Sequence, residues 1–275
     1  MEVSIGEYYM ENQTKKVIVI SGASSGIGLT TANYFLEKGW VVYGIARKPS
    51  EEMKVDFNYF QGDICDSTLM QKIAKEIYDK EGQIDVLYNN AGFGISGAIE
   101  FTDKEKIEKI FAVNTIAQFD MCKIYIPYLR KTKGKIIFTS SVAAPAAIPF
   151  QACYSSTKAA IESFALALSK EVRNQGIKVA CVRPGDTKTG FTEARDKNEQ
   201  TNEYYGDIIK KKTSNMEKFE NNGMQPIAVS KLVYKVANRK SPPLITSVGF
   251  GYKCISSLLK IVPVRWSNYF IYKFY

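Results

Sequence analysis

Residues 16–39 constrain the fold of this chain more than any other stretch. Residues 16–20 are a β-branched run without alternation, which predicts a short strand buried on both faces. A glycine-rich turn follows, and a helical pattern then runs to Lys38 and ends at Gly39. In this layout glycines let backbone amides approach a pyrophosphate at the start of a helix, so the stretch predicts a dinucleotide-binding unit. The turn residues expected to contact the cofactor are Gly22, Ser24, Ser25, Gly26, Ile27 and Gly28.

An ordinary tight turn is the alternative interpretation of these glycines. Their spacing is Gly-x-x-x-Gly-x-Gly, which differs from the Gly-x-Gly-x-x-Gly of the general fingerprint. The remaining chain favours the dinucleotide site, because strand patterns alternate with helical patterns as far as residue 182. Further strands are predicted at 40–46, 58–61, 84–88, 135–139, 177–182 and 244–248, and further helices at 67–80, at 104–131 and from Tyr154 to residue 174.

This alternation predicts both the fold class and the domain boundaries. We expect an α/β fold, a doubly wound parallel sheet of the Rossmann type, in a single domain with a C-terminal extension. A chain of 275 residues can bury a sizeable core, and α/β folds of this length commonly stay single. Residues 1–14 are then an N-terminal extension, 15–248 the dinucleotide-binding and catalytic domain, and 249–275 a C-terminal tail.

Residues at the ends of the predicted strands indicate which cofactor is bound. An acidic residue after the second strand would read the 2′-hydroxyl of NAD(H), but Arg47 and Lys48 stand there. Two cations suit the 2′-phosphate of NADP(H), so this cofactor is favoured over NAD(H); an ordinary solvated Arg-Lys pair is the alternative. Asp63, followed by Ile64, ends the third strand and is placed to accept from the adenine amino group. The fourth strand ends in further residues expected at the cofactor, Asn90, Ala91 and Gly92.

Tyr154 and Lys158 lie four residues apart, which places them on one face of a helix. A phenol titrates near ~10 in water, and a cation beside it lowers that pKa, so Tyr154 can serve as an acid or a base. Ser141, after the fifth strand, can hydrogen-bond the same substrate oxygen. A chance Tyr-x-x-x-Lys pair on an exposed helix is the alternative.

Residue types that the chain lacks exclude several classes of site. It contains no histidine, which excludes Ser-His-Asp and Cys-His catalysis and histidine-bound metals. Its five cysteines are scattered without a Cys-x-x-Cys pair, so we expect free thiols in a reducing, cytoplasmic setting and no metal site. Cys153, beside Tyr154, is expected to be a buried apolar residue rather than a nucleophile. The polar N-terminus has no hydrophobic signal core, and no apolar run reaches the ~18 residues of a membrane-spanning helix.

Six motifs in register identify a family. They are Gly22-x-x-x-Gly26-Ile27-Gly28, Asn89-Asn90-Ala91-Gly92, Asn114, Ser141, Tyr154-x-x-x-Lys158 and Pro184-Gly185. Through these motifs, residues 15–190 closely resemble the short-chain dehydrogenase/reductase family. The C-terminal tail is similar to those of the hydroxysteroid and retinol dehydrogenase branch. Thr157 and Ala117 depart from the family's usual serine and glycine, and neither change removes a reacting group.

The resemblance implies a role for each motif. Tyr154 would protonate a carbonyl oxygen as hydride arrives at carbon, or act as the base in the reverse direction. Lys158 would lower the Tyr154 pKa and hydrogen-bond the nicotinamide ribose, while the helix carrying Asn114 would fix a water that relays protons to Lys158. Ser141, rather than Ser140, would polarise the substrate oxygen. Segment 184–189 would close over the nicotinamide; its expected cofactor contacts are Pro184, Gly185, Thr187 and Thr189.

The resemblance also places a substrate lid at residues 190–225. Because much of that stretch is polar, the pocket lining is expected from Phe93, Ile95, residues 142–150, Phe191 and the far C-terminus. Residues 143–150 are small and apolar, which favours a hydrophobic carbonyl or alcohol over a sugar or hydroxy acid; an ordinary packed loop is the alternative. The side chains expected to contact substrate are Ser141, Tyr154, Phe93, Phe150 and Phe191.

Positive charge is concentrated at the C-terminus. Residues 231–275 carry eight of the 37 Lys and Arg residues and none of the Asp and Glu residues. Aromatic and aliphatic residues alternate with these cations, which is typical of an interfacial membrane anchor, and also of a segment that covers the substrate pocket or a partner subunit. Pro263 and the irregular spacing give no clean helical periodicity, which favours packing over a peripheral membrane contact. Nucleic-acid binding is not expected, since no recognition motif accompanies the charge.

Together these features predict an NADP(H)-dependent oxidoreductase that interconverts a hydrophobic, steroid- or lipid-like ketone or aldehyde and its alcohol. A 3-oxoacyl-thioester reductase is the main enzymatic alternative, since the basic tail could dock an acidic carrier. A non-catalytic NADP(H)-sensing protein is the second alternative, although such a protein has no need of Tyr154. The family resemblance also implies a homodimer or homotetramer that forms through the helices predicted at 104–131 and 154–174.

Overall fold

A parallel sheet forms the centre of the computed structural model. The structure describes residues 15–52, 57–259 and 261–274, so the N-terminal extension expected at 1–14 lies outside the described residues. Within these ranges the strands are β1 (Val17–Ser21), β2 (Val41–Ala46), β3 (Asn58–Gln61), β4 (Val86–Asn89), β5 (Ile95–Ser96), β6 (Lys135–Thr139), β7 (Lys178–Arg183), β8 (Asp196–Lys197) and β9 (Ile245–Ser247). Seven of them form one parallel sheet in the order β3-β2-β1-β4-β6-β7-β9, and β5 pairs with β8 separately.

Helices cover both faces of the central sheet. They are α1 (Gly26–Glu37), α2 (Ser67–Glu81), α3 (Lys104–Phe111), α4 (Ala117–Thr132), α5 (Ala143–Ala146), α6 (Ala152–Glu171), α7 (Ile208–Asn221), α8 (Pro226–Asn238), α9 (Phe250–Leu258) and α10 (Val264–Phe274). One core cluster joins the sheet to α2, α4 and α6, and a second joins its opposite face to α1 and α8. The doubly wound α/β fold predicted from the sequence is therefore confirmed.

The order of the strands determines where a ligand can lie. The chain builds β1, β2 and β3 towards one edge of the sheet and then crosses back to place β4 on the other side of β1. In parallel α/β sheets, a crevice opens at this change of direction, outside the carboxyl ends of the strands. All five residues of β1 are buried, as the β-branched run predicts. The carboxyl ends of β1, β4, β6 and β7 therefore lie around one crevice.

The long helix predicted at 104–131 is wrong in one respect. Residues Ala112–Ile116 form a π-helical turn between α3 and α4, so the helix is not a continuous α-helix. Asn114, which is fully buried, lies within this turn. Its side-chain amide makes two hydrogen bonds to the main chain of Phe93, of 3.0 Å and 2.9 Å. A widened turn at a functional position leaves the apolar periodicity on either side unchanged, which is why the sequence pattern did not show it.

The sequence pattern also understated the helical content of the C-terminus. Residues 249–275 contain α9 and α10. Pro263 lies between the two helices and therefore interrupts neither of them. Within the region predicted as a lid, 190–225, the structure has the short strand β8 and the helix α7. Among the described residues, no helix is long and apolar enough to cross a membrane.

Candidate active site

Strand β6 delivers two serines with different partners. The Ser140 hydroxyl donates to Glu162 over 2.6 Å, and Glu162 forms a buried ion pair with Arg183. Ser140 is thus held in the interior by a charged pair. The Ser141 oxygen accepts a 3.1 Å hydrogen bond from the amide of Ala143 and interacts with the phenol of Tyr154. Of the two serines, Ser141 is therefore the one placed at Tyr154, as the sequence analysis expects.

Tyr154 lies on the first turn of α6, with its ring in an apolar surround. Burial raises the pKa of the Tyr154 phenol to about 12, and the hydrogen bond from Ser141 opposes that rise. Among the more distant charges, Glu220 raises the pKa further and Arg195 lowers it. A phenol of this kind keeps its proton at neutral pH, so Tyr154 is available as a proton donor.

Lys158 lies one turn after Tyr154 on the same helix. Its ammonium donates a 2.8 Å hydrogen bond to the main-chain oxygen of Thr139 and lies 5.7 Å from the centre of the Tyr154 ring. Burial lowers the pKa of Lys158 to about 8. In the protein alone, burial thus dominates the titration of both groups. The expectation that Lys158 lowers the Tyr154 pKa remains a prediction for the complex with a bound nicotinamide cofactor.

Asn114 and Thr157 connect the π-helical turn to α6. The Asn114 amide nitrogen lies 3.3 Å from the Thr157 hydroxyl, which itself donates a 2.7 Å hydrogen bond to the carbonyl of Tyr154. Gly92 lies against both Asn114 and Lys158: a Cβ added there would lie 3.0 Å from the Asn114 side-chain oxygen and 3.6 Å from the Lys158 nitrogen. The structure therefore brings all four expected catalytic residues, Asn114, Ser141, Tyr154 and Lys158, to one region at the carboxyl ends of β4 and β6.

The glycines of the first turn are required by close main-chain approaches. Gly22 has a φ of +67°, and a Cβ added there would lie 2.8 Å from Cα of Ala91. A Cβ on Gly28 would lie 2.1 Å from the carbonyl oxygen of Gly22 and 2.6 Å from the side-chain nitrogen of Asn90. That nitrogen donates to the carbonyls of Ser21 and Gly22, at 3.2 Å and 3.3 Å. The turn after β1 and the end of β4 are therefore locked together, and larger residues have no room.

The start of α1 fits a pyrophosphate. Helix α1 begins at Gly26 after an extended Ser25, and no side chain among the described residues caps its first amides. Its first turn also carries no acidic residue, so the free N–H groups and the helix dipole favour an anion there. A Cβ added to Gly26 would lie 3.3 Å from the side chain of Thr189, so segment 184–189 reaches this end of the crevice. A cleft of about 470 Å³ opens here, lined by Ser24, Ser25, Gly26, Lys188 and Thr189 among others.

The residues expected at the adenosine end lie at the ends of β2 and β3. Arg47 and Lys48 are exposed, directly after β2. Asp63 accepts a 2.9 Å hydrogen bond from the amide of Cys65, which holds its carboxylate in place, and Ile64 is buried. Burial raises the pKa of the Cys65 thiol to about 11, while Arg47 acts against this rise, so Arg47 lies within electrostatic range of the Asp63 turn.

Segment 184–189 is held by the C-terminal part of the chain. A Cβ added to Gly185 would lie 2.2 Å from the ring of Tyr252, which lies in α9. The Tyr252 hydroxyl donates a 2.6 Å hydrogen bond to the Asp186 carboxylate and accepts one of 3.1 Å from its amide. Thr187 pairs with Met224, and its hydroxyl donates to the carbonyl of Gly185 over 2.8 Å. Tyr252 thus fixes the segment expected over the nicotinamide, a role that sequence analysis missed.

Two of the three phenylalanines expected at the substrate lie beside Tyr154. The ring centres of Phe191 and Tyr154 are 5.6 Å apart, and Phe93 packs in the same apolar cluster. The ring centre of Phe150 lies 6.3 Å from that of Tyr205 in the lid region, and its contact with substrate stays a prediction. Its φ of 58° is unusual for a bulky residue.

Residues 143–150 and the C-terminal tail both pack beside the active site. Ala143 and Ile148 form a small apolar cluster with Met216 of α7, and Tyr154 and Ile271 pack against it. Helix α10 therefore lies on the lid, where the ring of Phe274 stacks on that of Phe219 at 5.2 Å. These contacts are the packing expected of the tail. Contact of its outward side chains with a membrane or a partner subunit stays a prediction.

A buried ion pair beside Tyr154 has no counterpart in the sequence analysis. Arg195 pairs with Glu220 of α7, and the Arg195 side chain is fully buried. Both residues lie in a stretch rich in charged side chains, which gave no signal that two of them turn inward.

Cys153 is buried and its burial raises the thiol pKa, in keeping with an unreactive cysteine. No cluster of three potential metal ligands occurs in the part of the chain that the structure describes.

Comparisons with known proteins agree with this geometry. A family model described as short chain dehydrogenase matches residues 16–200. The chain is 41% identical over 238 residues to a 3-ketodihydrosphingosine reductase of Bacteroides thetaiotaomicron, covering 85% of this chain and 88% of the relative. It is 31% identical to an NADPH-dependent 1-acyldihydroxyacetone phosphate reductase of Saccharomyces cerevisiae, covering 68% and 66%. A short-chain dehydrogenase structure from Streptomyces avermitilis superposes with a TM-score of 0.79 at 24% identity, covering 91% of this chain and 94% of the other. The resemblance seen in the sequence is confirmed: this chain belongs to the short chain dehydrogenase family and is an NAD(P)-dependent oxidoreductase.

Proposed function

We propose that the protein uses NADP(H) to interconvert a long-chain, lipid-like ketone and its alcohol, with 3-ketodihydrosphingosine as the leading candidate substrate. The observation that carries the proposal is the apolar surround of the proton donor: Phe191 lies against the Tyr154 ring, and Phe93 and Ile271 pack on the two apolar clusters that Tyr154 also contacts. Such a wall favours a hydrocarbon chain beside the reacting carbonyl. The relative from Bacteroides thetaiotaomicron, described as a 3-ketodihydrosphingosine reductase, supports the same substrate class.

The chain's own residues supply binding and proton transfer. A bound reduced nicotinamide supplies the hydride for ketone reduction. Tyr154 donates its proton to the carbonyl oxygen, and Ser141 hydrogen-bonds that oxygen and so stabilises the charge that develops on it. Lys158, whose pKa of about 8 lies near neutral pH, exchanges protons readily and supports the return of a proton to Tyr154. Phe191 lies against the Tyr154 ring, and Phe93 packs on an apolar cluster that Tyr154 also contacts, so apolar side chains shield part of the phenol.

Preference for NADP(H) over NAD(H) rests on Arg47 and Lys48. Both are exposed at the end of β2, where the 2′ position of the adenosine ribose is read in this fold. Two cations bind a phosphate better than a diol. The relative from Saccharomyces cerevisiae is described as NADPH-dependent, which supports the same choice.

A cofactor titration followed by a substrate panel tests the proposal. NADPH and then NADH are titrated into the protein while cofactor fluorescence is followed, and NADPH oxidation is then measured with 3-ketodihydrosphingosine, a steroid ketone and a 3-oxoacyl thioester. We expect NADPH to bind about 10- to 100-fold more tightly than NADH, because charge-assisted hydrogen bonds to the 2′-phosphate are each worth about 1.5–3 kcal/mol. Faster turnover of the thioester would favour the acyl-carrier alternative, and cofactor binding without any turnover would favour the sensor.

A paired variant separates cofactor choice from fold. The double substitution Arg47→Ala and Lys48→Ala is expected to remove the NADPH preference and to leave NADH binding unchanged. Arg173→Ala, after α6, changes an exposed cation far from the crevice and serves as the matched control. An unaltered NADPH preference in the double variant would show that Arg47 and Lys48 are ordinary solvated residues.

We also propose that the protein is a cytoplasmic homodimer or homotetramer that associates through α4 and α6. Ile116, just before α4, and Leu166 of α6 are large apolar side chains that are exposed, at 63% and 39%. Exposed apolar residues on neighbouring helices suit a subunit interface. Sedimentation of the wild type and of an Ile116→Asp variant tests this: the variant is expected to sediment as a smaller species, and a monomeric wild type would reject the proposal.

A further inference from the structure

Arg195 is a buried cation with unused hydrogen-bonding capacity beside the proton donor. Its side chain is 0% exposed. One guanidinium nitrogen pairs with Glu220, while Nε and Nη1 have no hydrogen-bond partner among the residues that the structure describes. Buried donors are rarely left without an acceptor, because each costs about 1–3 kcal/mol. Arg195 therefore has two donor groups available for an oxygen acceptor.

Arg195 and Tyr154 both lie close to the ring of Phe191. The guanidinium carbon of Arg195 lies 5.6 Å from the centre of the Phe191 ring, and the Tyr154 ring centre is also 5.6 Å from it. On its other side, the Arg195 Nε lies 3.2 Å from the place a Cβ on Gly94 would take. Arg195 and Tyr154 thus share one aromatic neighbour in the lid region. A molecule whose carbonyl lies at Tyr154 can therefore direct a second polar group towards Arg195.

Glu220 places a carboxylate beside the guanidinium of Arg195. One of its oxygens pairs with Arg195 and the other accepts a 2.6 Å hydrogen bond from Thr192. A carboxylate has about four acceptor positions, so Glu220 can take a further donor. Asp186, held by Tyr252, lies within electrostatic range of the same guanidinium. Two carboxylates beside one guanidinium disfavour a doubly charged phosphate and favour a group that carries positive charge.

We propose that Arg195 and Glu220 form a polar subsite that binds the head of an amino-alcohol ketone, with the hydroxyl oxygen at Arg195 and the ammonium at Glu220. The inference rests on the proposed function, since it describes the polar end of the lipid ketone whose carbonyl lies at Tyr154. 3-Ketodihydrosphingosine has this chemistry: an amine on the carbon next to the carbonyl and a hydroxyl on the carbon beyond it. The apolar residues around Tyr154 then contact the hydrocarbon chain, and the subsite sets specificity.

The test compares substrates that differ only in the head. NADPH oxidation is measured with 3-ketodihydrosphingosine, with its analogue lacking the hydroxyl, with its analogue lacking the amine, and with the plain long-chain ketone lacking both. In the wild type, removing either group is expected to lower kcat/KM by about 10- to 100-fold, the value of a hydrogen bond to a charged group. Arg195→Met is expected to bring the ratio of kcat/KM between the substrates with and without the hydroxyl close to one, and Glu220→Gln is expected to do the same for the amine. The ratio is the readout, because each substitution can also change the rate on all four ketones.

Matched controls lie near Arg195 and Glu220 along the chain. Lys197 of β8 and Glu217 of α7 form a 2.7 Å ion pair that is part-exposed, so Lys197→Met and Glu217→Gln change the lid without changing the subsite. Both controls are expected to keep every substrate preference. Arg195→Lys is the second variant at the site itself: it keeps the positive charge and the pairing with Glu220 but lacks the guanidinium fork, and so should lose the hydroxyl preference even where the methionine variant unfolds. NADPH fluorescence confirms that each variant retains its cofactor site.

The outcomes separate the subsite from the function. Equal turnover of all four ketones by the wild type would leave lipid-ketone reduction in place and overturn the subsite. A uniform loss on all four ketones in Arg195→Met would make Arg195 a structural residue of the lid, and would also overturn it. If the wild type had a higher kcat/KM for 1-acyldihydroxyacetone phosphate than for 3-ketodihydrosphingosine, and Arg195→Met lost this difference, the subsite would be assigned to a phosphate instead. Turnover of none of these ketones would reject the proposed function, and the subsite with it.

Discussion

The side chains nearest to Tyr154 bind different partners on its two sides. On the cofactor side, residues 16–189, Asn90 donates to the main-chain carbonyl of Gly22, and Lys158 donates to that of Thr139. On the substrate side, residues 190–274, Arg195 and Thr192 both bind the side-chain carboxylate of Glu220. A contact to the main chain requires a particular residue at a fixed spacing, whereas a pair of side chains can be replaced by many other pairs.

Tyr154→Phe tests the border between the two sides and should have the largest effect. The substitution removes the phenolic proton and keeps the ring that packs on Phe191. We expect turnover to fall by ~10³-fold, within the range for loss of a general acid, with NADPH binding unchanged. Steady-state kinetics and cofactor fluorescence measure the two quantities.

Tyr128→Phe provides the control for that experiment, because Tyr128 lies on α4 away from the crevice and its variant should keep full turnover. Unchanged turnover in Tyr154→Phe would remove Tyr154 from the mechanism. The cofactor side would then be a binding site without its proton donor, and the sensor alternative would gain support.

The contrast between the two sides also explains what could be predicted from the sequence. The sheet with its helices could be predicted from the sequence, and so could the set Asn114, Ser141, Tyr154 and Lys158. Close contacts to the main chain, such as those of the glycine turn and of Asn90, allow few residue types and so produce recognisable sequence motifs. Arg195 left none, because an arginine in a charged stretch has the same pattern whether it faces solvent or the interior. The π-helical turn could not be predicted for a related reason. Asn114 is held by a hydrogen-bond partner, Phe93, that is distant along the chain.

Gly28→Ala sharpens the comparison on the cofactor side. The added Cβ would lie 2.1 Å from the Gly22 carbonyl oxygen, which cannot move without breaking the link between β1 and β4. We expect a loss of ~3 kcal/mol in the free energy of unfolding and a loss of NADPH binding, because overpacking against main chain forces a backbone shift. Urea unfolding and cofactor fluorescence provide the measurements.

Gly251→Ala is the matched control, since a Cβ at Gly251 in α9 meets no atom of the described residues within 4 Å. Its stability should equal or exceed that of the wild type, because alanine is the better helix former. If both glycine variants lost stability equally, close approach to the main chain would not be what distinguishes the cofactor side.

Lys158→Met tests the cost of the charge that the cofactor side buries. The folded-state pKa of about 8 lies below the ordinary 10.5, so the unfolded chain binds the extra proton between these two values. Stability from this group therefore rises with pH through that window. From about pH 7 to pH 10 we expect the wild type to gain ~2 kcal/mol relative to Lys158→Met. Urea unfolding of both proteins at each pH measures this difference, in which the other titrating groups cancel. A constant difference would show that Lys158 keeps its ordinary pKa in the folded protein.

Ile271→Asp should have the smallest effect, and it tests the substrate side. Ile271 of α10 packs on the cluster beside Tyr154, while no residue of α10 is fully buried. A carboxylate there would face the hydrocarbon chain of the substrate, so we expect KM for the long-chain ketone to rise about 5- to 10-fold, since one buried apolar contact is worth about 1–2 kcal/mol. NADPH binding should stay within error of the wild type, because main-chain contacts of the cofactor side are untouched. Ile261→Asp is the matched control: this side chain is 81% exposed and should tolerate the change. A loss of NADPH binding in Ile271→Asp would mean that the tail supports both sides of Tyr154, and the division between them would then fail at α10.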